Sequence, residues 1–184
     1  MLLRGTLPVL TVCVASLVAG CATPPKPVPV VIHEATPGTA VMYFFRPEND
    51  HVEEGARPTL AVDQRAIGAI AHSTYTMISL TPGKHHVVMT AGASDSAHWN
   101  QRADFTLTDG VTYCVAIWQP NQPTPVPSYV GAMYGAVGTL IFQALSGSPS
   151  PGAVQFEPVA RDVAEFSLTG LQFVPPESDA LPAR

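Results

Sequence analysis

Six histidines, paired acids, a strand-end arginine and three cysteines are the residues of this chain whose types could do chemistry. His85 and His86 are adjacent, and neighbouring residues on a strand point to opposite faces, so the pair does not readily share one ion. His33, His51, His72 and His98 fall in loop-like stretches, and no metal or other cofactor is expected. Nucleophilic catalysis needs a Ser or Cys held by a His, yet the chain contains no Gly-x-Ser-x-Gly elbow. Glu53-Glu54, beside Gly55, reads as a solvated charge pair. Arg46 follows an apolar run, and its rigid guanidinium suits either an anionic ligand, a pairing with Asp63 or the capping of a turn. Trp99, Tyr113 and Trp118 suit a stacking platform for sugars or peptides, or simply core packing. Arg46 and Trp118 are therefore the candidate ligand-binding residues, and no catalytic residue is expected.

The cysteines divide by position. Cys114 lies in the alternating run Val111 to Trp118 and reads as a small buried hydrophobe. Cys13 falls in the apolar stretch Leu7 to Val18, which follows the positive charge of Arg4 and leads into small residues, the layout of an export signal. That stretch is short for a membrane-spanning helix, which needs about 20 apolar residues. Cys21 comes directly after it.

Leu17-Val18-Ala19-Gly20-Cys21 resembles the bacterial lipobox, in which an aliphatic residue and two small ones precede a cysteine. Small residues at Ala19 and Gly20 let the backbone enter a narrow protease site, and the cysteine sulfur is the nucleophile for a thioether. The resemblance implies a diacylglyceryl group on Cys21, cleavage before it, and acylation of the new amine. Two or three chains are needed for stable anchoring, because one gives only reversible attachment. Ala22, where a sorting aspartate would retain a lipoprotein in the inner membrane, implies the periplasmic face of the outer membrane.

The elements follow from composition and pattern. Of 184 residues, 46% are hydrophobic and 12% charged, the latter about half of the usual soluble share. The formal charge of −5 becomes −6 once Arg4 is removed, which argues against phosphate backbones and so against nucleic acid. Residues 1–20 form the expected signal peptide and 21–37 a proline-rich tether, ATPPKPVPVVIHEATP after the cysteine, which favours extended polyproline conformation. Residues 38–176 form the expected domain, followed by a tail at 177–184.

Within that domain, short apolar runs alternate with turn residues, which predicts a mainly β fold, an antiparallel sandwich or partly open barrel of about seven short strands. Ala40 to Phe45 is continuous. Thr59 to Val62 and Ala66 to Ile70 flank a turn at Asp63-Gln64-Arg65. Tyr75 to Leu80 and His86 to Ala91 flank Pro82-Gly83, and Ala103 to Thr108 and Val111 to Trp118 flank Asp109-Gly110, both read as hairpins. Val154 to Glu157 and Leu171 to Val174 suit edge strands, with a short helix over Val159 to Phe166 between them.

Tyr43-Phe44-Phe45-Arg46-Pro47, Val62-Asp63 with Ile67-Gly68, and Pro82-Gly83-Lys84-His85 together look like an uncharacterised lipoprotein domain family of unknown function. The likeness covers roughly 38–118. The usual Gly after the hairpin Asp is Gln64 here. It implies fold and location but no reaction.

Between Gly110 and Phe156, 47 consecutive residues carry no acidic, basic or histidine side chain. Residues 129–145, YVGAMYGAVGTLIFQAL, would make a helix of roughly 25 Å. Three roles are open to it: a helix or strand pair packed on the β-domain, a surface for self-association or an envelope protein partner, and membrane insertion. The whole chain is expected to be a non-enzymatic envelope lipoprotein with a structural or interaction role. The alternative is a ligand-binding module for a glycan, peptide or lipid.

Overall fold

The computed structural model describes residues 29–48, 53–119, 141–144 and 154–177, with 141–144 defined in its backbone course alone. Among the described residues ten strands form in chain order: β1 Ala40–Phe45, β2 Thr59–Val62, β3 Arg65–Ala69, β4 Thr74–Leu80, β5 Gly83–Thr90, β6 Gln101–Leu107, β7 Thr112–Trp118, β8 Ile141–Ala144, β9 Gln155–Val159 and β10 Gln172–Phe173. One helix, α1, spans Arg161–Leu168. The strands make two five-stranded sheets, ordered β10-β4-β1-β7-β9 and β3-β2-β5-β6-β8. The fold is the expected mainly β sandwich, open rather than closed into a barrel.

The sheets pack face to face. Ala40, Met42, Phe44, Tyr113, Val115, Ile117 and Phe156 of the first meet Leu60, Val62, Val87, Met89, Ala103, Phe105 and Leu107 of the second. Phe44, Phe105 and Phe156 meet edge to face, with centroids 6.3–6.5 Å apart, the geometry that ring quadrupoles favour. The alternate residues Val41, Tyr43, Phe45, Cys114, Ala116 and Val159 point to the outer side of the first sheet, into a second core. Ala164 and Leu168 of α1 cover it, together with Ile32. Covered on both faces, β1 is buried at all six positions, which is why it reads as an unbroken apolar run.

Several connections differ from the sequence expectation. Pro82-Gly83 and Asp109-Gly110 are not hairpins, because β4 and β7 belong to the first sheet whereas β5 and β6 belong to the second. Each is a corner that carries the chain across the sandwich. The Asp109 corner is fastened to the approach to β1: Gly38 N donates to Asp109 Oδ1 at 2.6 Å, and Gly110 N to the Thr39 carbonyl at 2.8 Å. The sandwich is not wholly antiparallel either, since β1 pairs parallel with β7 and β10 parallel with β4. Only Asp63-Gln64 makes a two-residue hairpin among these turns, with φ of 50° and 68°. Positive φ at both central positions is the type I′ pattern, whose twist suits paired strands.

Two terminal segments complete the layers. Residues 29–36, expected as part of a free tether, lie along the outer core instead. His33 N donates to the Tyr43 hydroxyl at 2.9 Å, and Ala35 N to Thr112 Oγ1 at 2.9 Å. Arg161 donates to the Ile32 carbonyl at 2.7 Å and pairs with Glu34 and Glu165. After β10, Val174 N bonds the Tyr75 carbonyl and Glu177 N the Ile67 carbonyl, both at 2.8 Å, so residues 174–177 run from the edge of one sheet to that of the other.

The segment expected as a helix near 129–145 ends differently. Residues 141–144 form β8, paired antiparallel with β6, and the remainder lies outside the described residues. Among the described residues no helix is long and apolar enough to cross a membrane.

Candidate functional site

The densest group of polar side chains gathers where β1 ends. The strand alternation that sends Met42 and Phe44 toward the second sheet sends Arg46 the same way, and Arg46 is fully buried. Its guanidinium lies 4.2 Å from the centroid of the Trp99 ring, a cation–π contact. Nη1 donates to the Ala56 carbonyl at 2.8 Å, and Nη2 to that of Glu53 at 3.4 Å. A planar guanidinium can lie on a ring face while its edge donates to two carbonyls, a combination that a compact ammonium does not reproduce.

Glu53 completes the arrangement from the other side. Its carboxylate accepts the Trp99 indole N–H at 2.8 Å and the Ser96 amide at 3.2 Å. Ser96 is the main reason the Glu53 carboxyl stays below the ordinary carboxylate range; slight burial opposes this and the indole N–H reinforces it. Glu53 has a φ of 46°, a left-handed backbone that costs a non-glycine residue energy. The expected solvated pair thus includes a residue that clamps Trp99. Next to it, Asp95 Oδ2 accepts the Arg57 amide at 3.1 Å and the Gly92 amide at 2.8 Å. A Cβ on Gly92 would come within 2.9 Å of that oxygen, so a side chain there would have to displace the Asp95 carboxylate from its two amides. An open depression of about 460 Å³, lined by Glu53, Gly55, Ala56, Ser94, Asp95 and Ser96, lies over these loops.

The proposed ligand pair is not brought together. Arg46 faces the second sheet and is out of reach of solvent, whereas Trp118 lies on the opposite face of the first sheet, against the outer core. Nor do the aromatics form a platform: Trp99 and Tyr113 are core residues, and the Tyr113 hydroxyl accepts the Thr108 amide at 2.9 Å. Arg46 caps a loop, one of the roles open to it, and does not pair with Asp63.

Asp63 serves the turn between β2 and β3. Its Oδ2 lies 2.7 Å from His85 Nδ1, and its Oδ1 accepts the His86 amide at 2.8 Å. His85 Nε2 donates to the Thr81 carbonyl at 2.7 Å, so this buried ring links the hairpin to the Pro82 corner. Burial pushes the Asp63 carboxyl up, but the His86 amide and the His85 ring outweigh it and hold it below its ordinary value. His86 turns to the outer side of the second sheet and meets Asp104 at 2.7 Å. No group of three metal-ligating side chains occurs among the described residues.

Nucleophile chemistry is equally constrained. Ser73 Oγ lies 3.1 Å from His72 Nδ1, and His72 Nε2 2.9 Å from the Glu48 carbonyl. The carbonyl fixes the orientation of the imidazole. Cys114 faces the outer core, where burial pushes its thiol up to about 12, far from thiolate at neutral pH. Cys21 lies outside the described residues, as do His51 and most of the uncharged tract.

The chain matches no protein-family model, no curated protein and no solved structure. The sequence missed the Trp99 clamp, although the order of residues Glu53, Ser96 and Trp99 in two loops held no signal for it.

Proposed function

We propose that the protein is a bacterial envelope lipoprotein, anchored by lipid on Cys21 at the periplasmic face of the outer membrane, with a structural or interaction role rather than a catalytic one. The observation that carries this reading is Leu17-Val18-Ala19-Gly20-Cys21 at the end of an apolar stretch that starts after Arg4. The domain's polar side chains support the second half. Arg46, Glu53, Asp63, His85 and Asp95 each spend their hydrogen bonds on loops and corners of the fold. The ligand-binding alternative loses its main support, since its two anchors sit on opposite faces of a sheet.

The anchor would hold the domain close. Residues 22–28 separate Cys21 from the docked segment, and seven extended residues reach at most about 22 Å. The experiment is the intact mass of the protein purified from the bacterial envelope in detergent. We expect a chain beginning at Cys21 and carrying diacylglyceryl and acyl groups, and a Cys21→Ser variant that leaves the membrane fraction. An unmodified mass, or a chain beginning elsewhere, would overturn the reading.

A further inference from the structure

Among the described residues, the large hydrophobic side chains left exposed are Val31, Phe166 and Phe173, at 73%, 81% and 44% of their surface. All three belong to the layer on the outer side of the first sheet. Val31 precedes Ile32, whose carbonyl is bonded by Arg161 at the start of α1. Phe166 stands on the side of α1 opposite to Ala164 and Leu168, which face the core. Phe173 lies on β10, its ring 5.2 Å from Tyr75, which in turn stacks on the buried Tyr43 at 6.4 Å. The second sheet presents a different outer surface, with Lys84, His86, Arg102, Asp104 and Thr106 exposed or half-exposed.

We propose that the layer built from residues 29–36, α1 and β10 is the face that rests on the lipid surface, with Val31, Phe166 and Phe173 seated among the headgroups. This inference rests on the Cys21 anchor proposed above. The chain enters the fold on this layer, and the seven residues 22–28 leave it little room to turn the polar sheet toward the bilayer. Phenylalanine and aliphatic side chains on one face of a surface-lying segment bury into the boundary between headgroups and acyl chains. Glu34, Asp162 and Glu165 outnumber Arg161 on the same layer, so a zwitterionic lipid suits it better than an anionic one.

The test uses full-length lipidated protein reconstituted in phosphatidylethanolamine vesicles whose acyl chains carry bromine, which quenches nearby indoles. Phe166→Trp is placed at an exposed position that the core does not use, and Arg102→Trp on the second sheet serves as its counterpart. The parent chain, with Trp99 and Trp118, is the blank. We expect the added indole at 166 to be quenched about two-fold or more relative to that at 102. Equal quenching at both positions on a protein shown by mass to be lipidated overturns the orientation and leaves the anchor standing. A mass without lipid overturns both. An indole at 166 shielded from bromolipid and from aqueous iodide alike, in a protein that sediments as a dimer, would show a second copy on this face and also overturn the inference.

Discussion

Arg46 is a cation removed from water and held by a ring face and two carbonyls, and such a group is far costlier to half-remove than to keep. Arg46→Ala should cost about 2–4 kcal/mol in urea unfolding, as two loop carbonyls and the face of Trp99 lose their common partner. Arg46→Lys should recover part of this, but not the fork. An Ala variant within about 1 kcal/mol of the parent would show that the loop holds without the guanidinium. Glu53 and Asp63 make a prediction about acid. Both carboxyls titrate below their ordinary values in the folded protein, so their stabilisation is complete above about pH 4 and fades as pH falls through the lower folded values. The melting temperature should fall on that acid limb, and Asp63→Asn should flatten it. At this scale sequence reading had mixed reach. The buried inertness of Cys114 was legible from its apolar neighbours. The burial of Arg46 was not, because a single residue's type does not tell which loop will fold over it.

Turns show how far local sequence decides an element. Asp63-Gln64 joins two strands of one sheet, and both residues accept positive φ; Gln64 does so at 68° without glycine's freedom. Gln64→Gly should therefore raise the unfolding free energy by about 1 kcal/mol, measured in urea. A loss instead would mean that the glutamine side chain holds the turn. Pro82-Gly83 and Asp109-Gly110 carry equally strong turn residues but switch the chain between sheets. Turn chemistry fixes the reversal of direction; the partner of each strand is chosen by distant residues, such as the parallel pairing of Val41 to Phe45 with Thr112 to Ala116. Strand positions other than β8, and the short helix α1, were accordingly readable from apolar spacing. The pairing map was not.

For the molecule as a whole, the docked residues 29–36 make the domain longer at its amino end than composition suggested. Pro29 and the polar residues among them read as a spacer, yet Ile32 is buried to 1% exposure, its carbonyl bonds Arg161 of α1, and its neighbours bond to β1 and β7. A chain beginning at Gly38 should be less stable than one beginning at Ala22 by about 1.5–3 kcal/mol, the contribution from burial of one isoleucine. Cys114, pushed up to about 12 by burial under this layer, should then react faster with a thiol reagent. Unchanged stability and labelling would mean that α1 alone seals the outer core. The other end has a different consequence. Residues 174–177 clasp the rims of both sheets, and they leave the ribosome after every strand they join. A product cut short before Val174 would bare two sheet rims at once, and bare rims recruit strands from neighbouring molecules. The clasp would thus also guard against aggregation, and it closes after the strands it joins have been made.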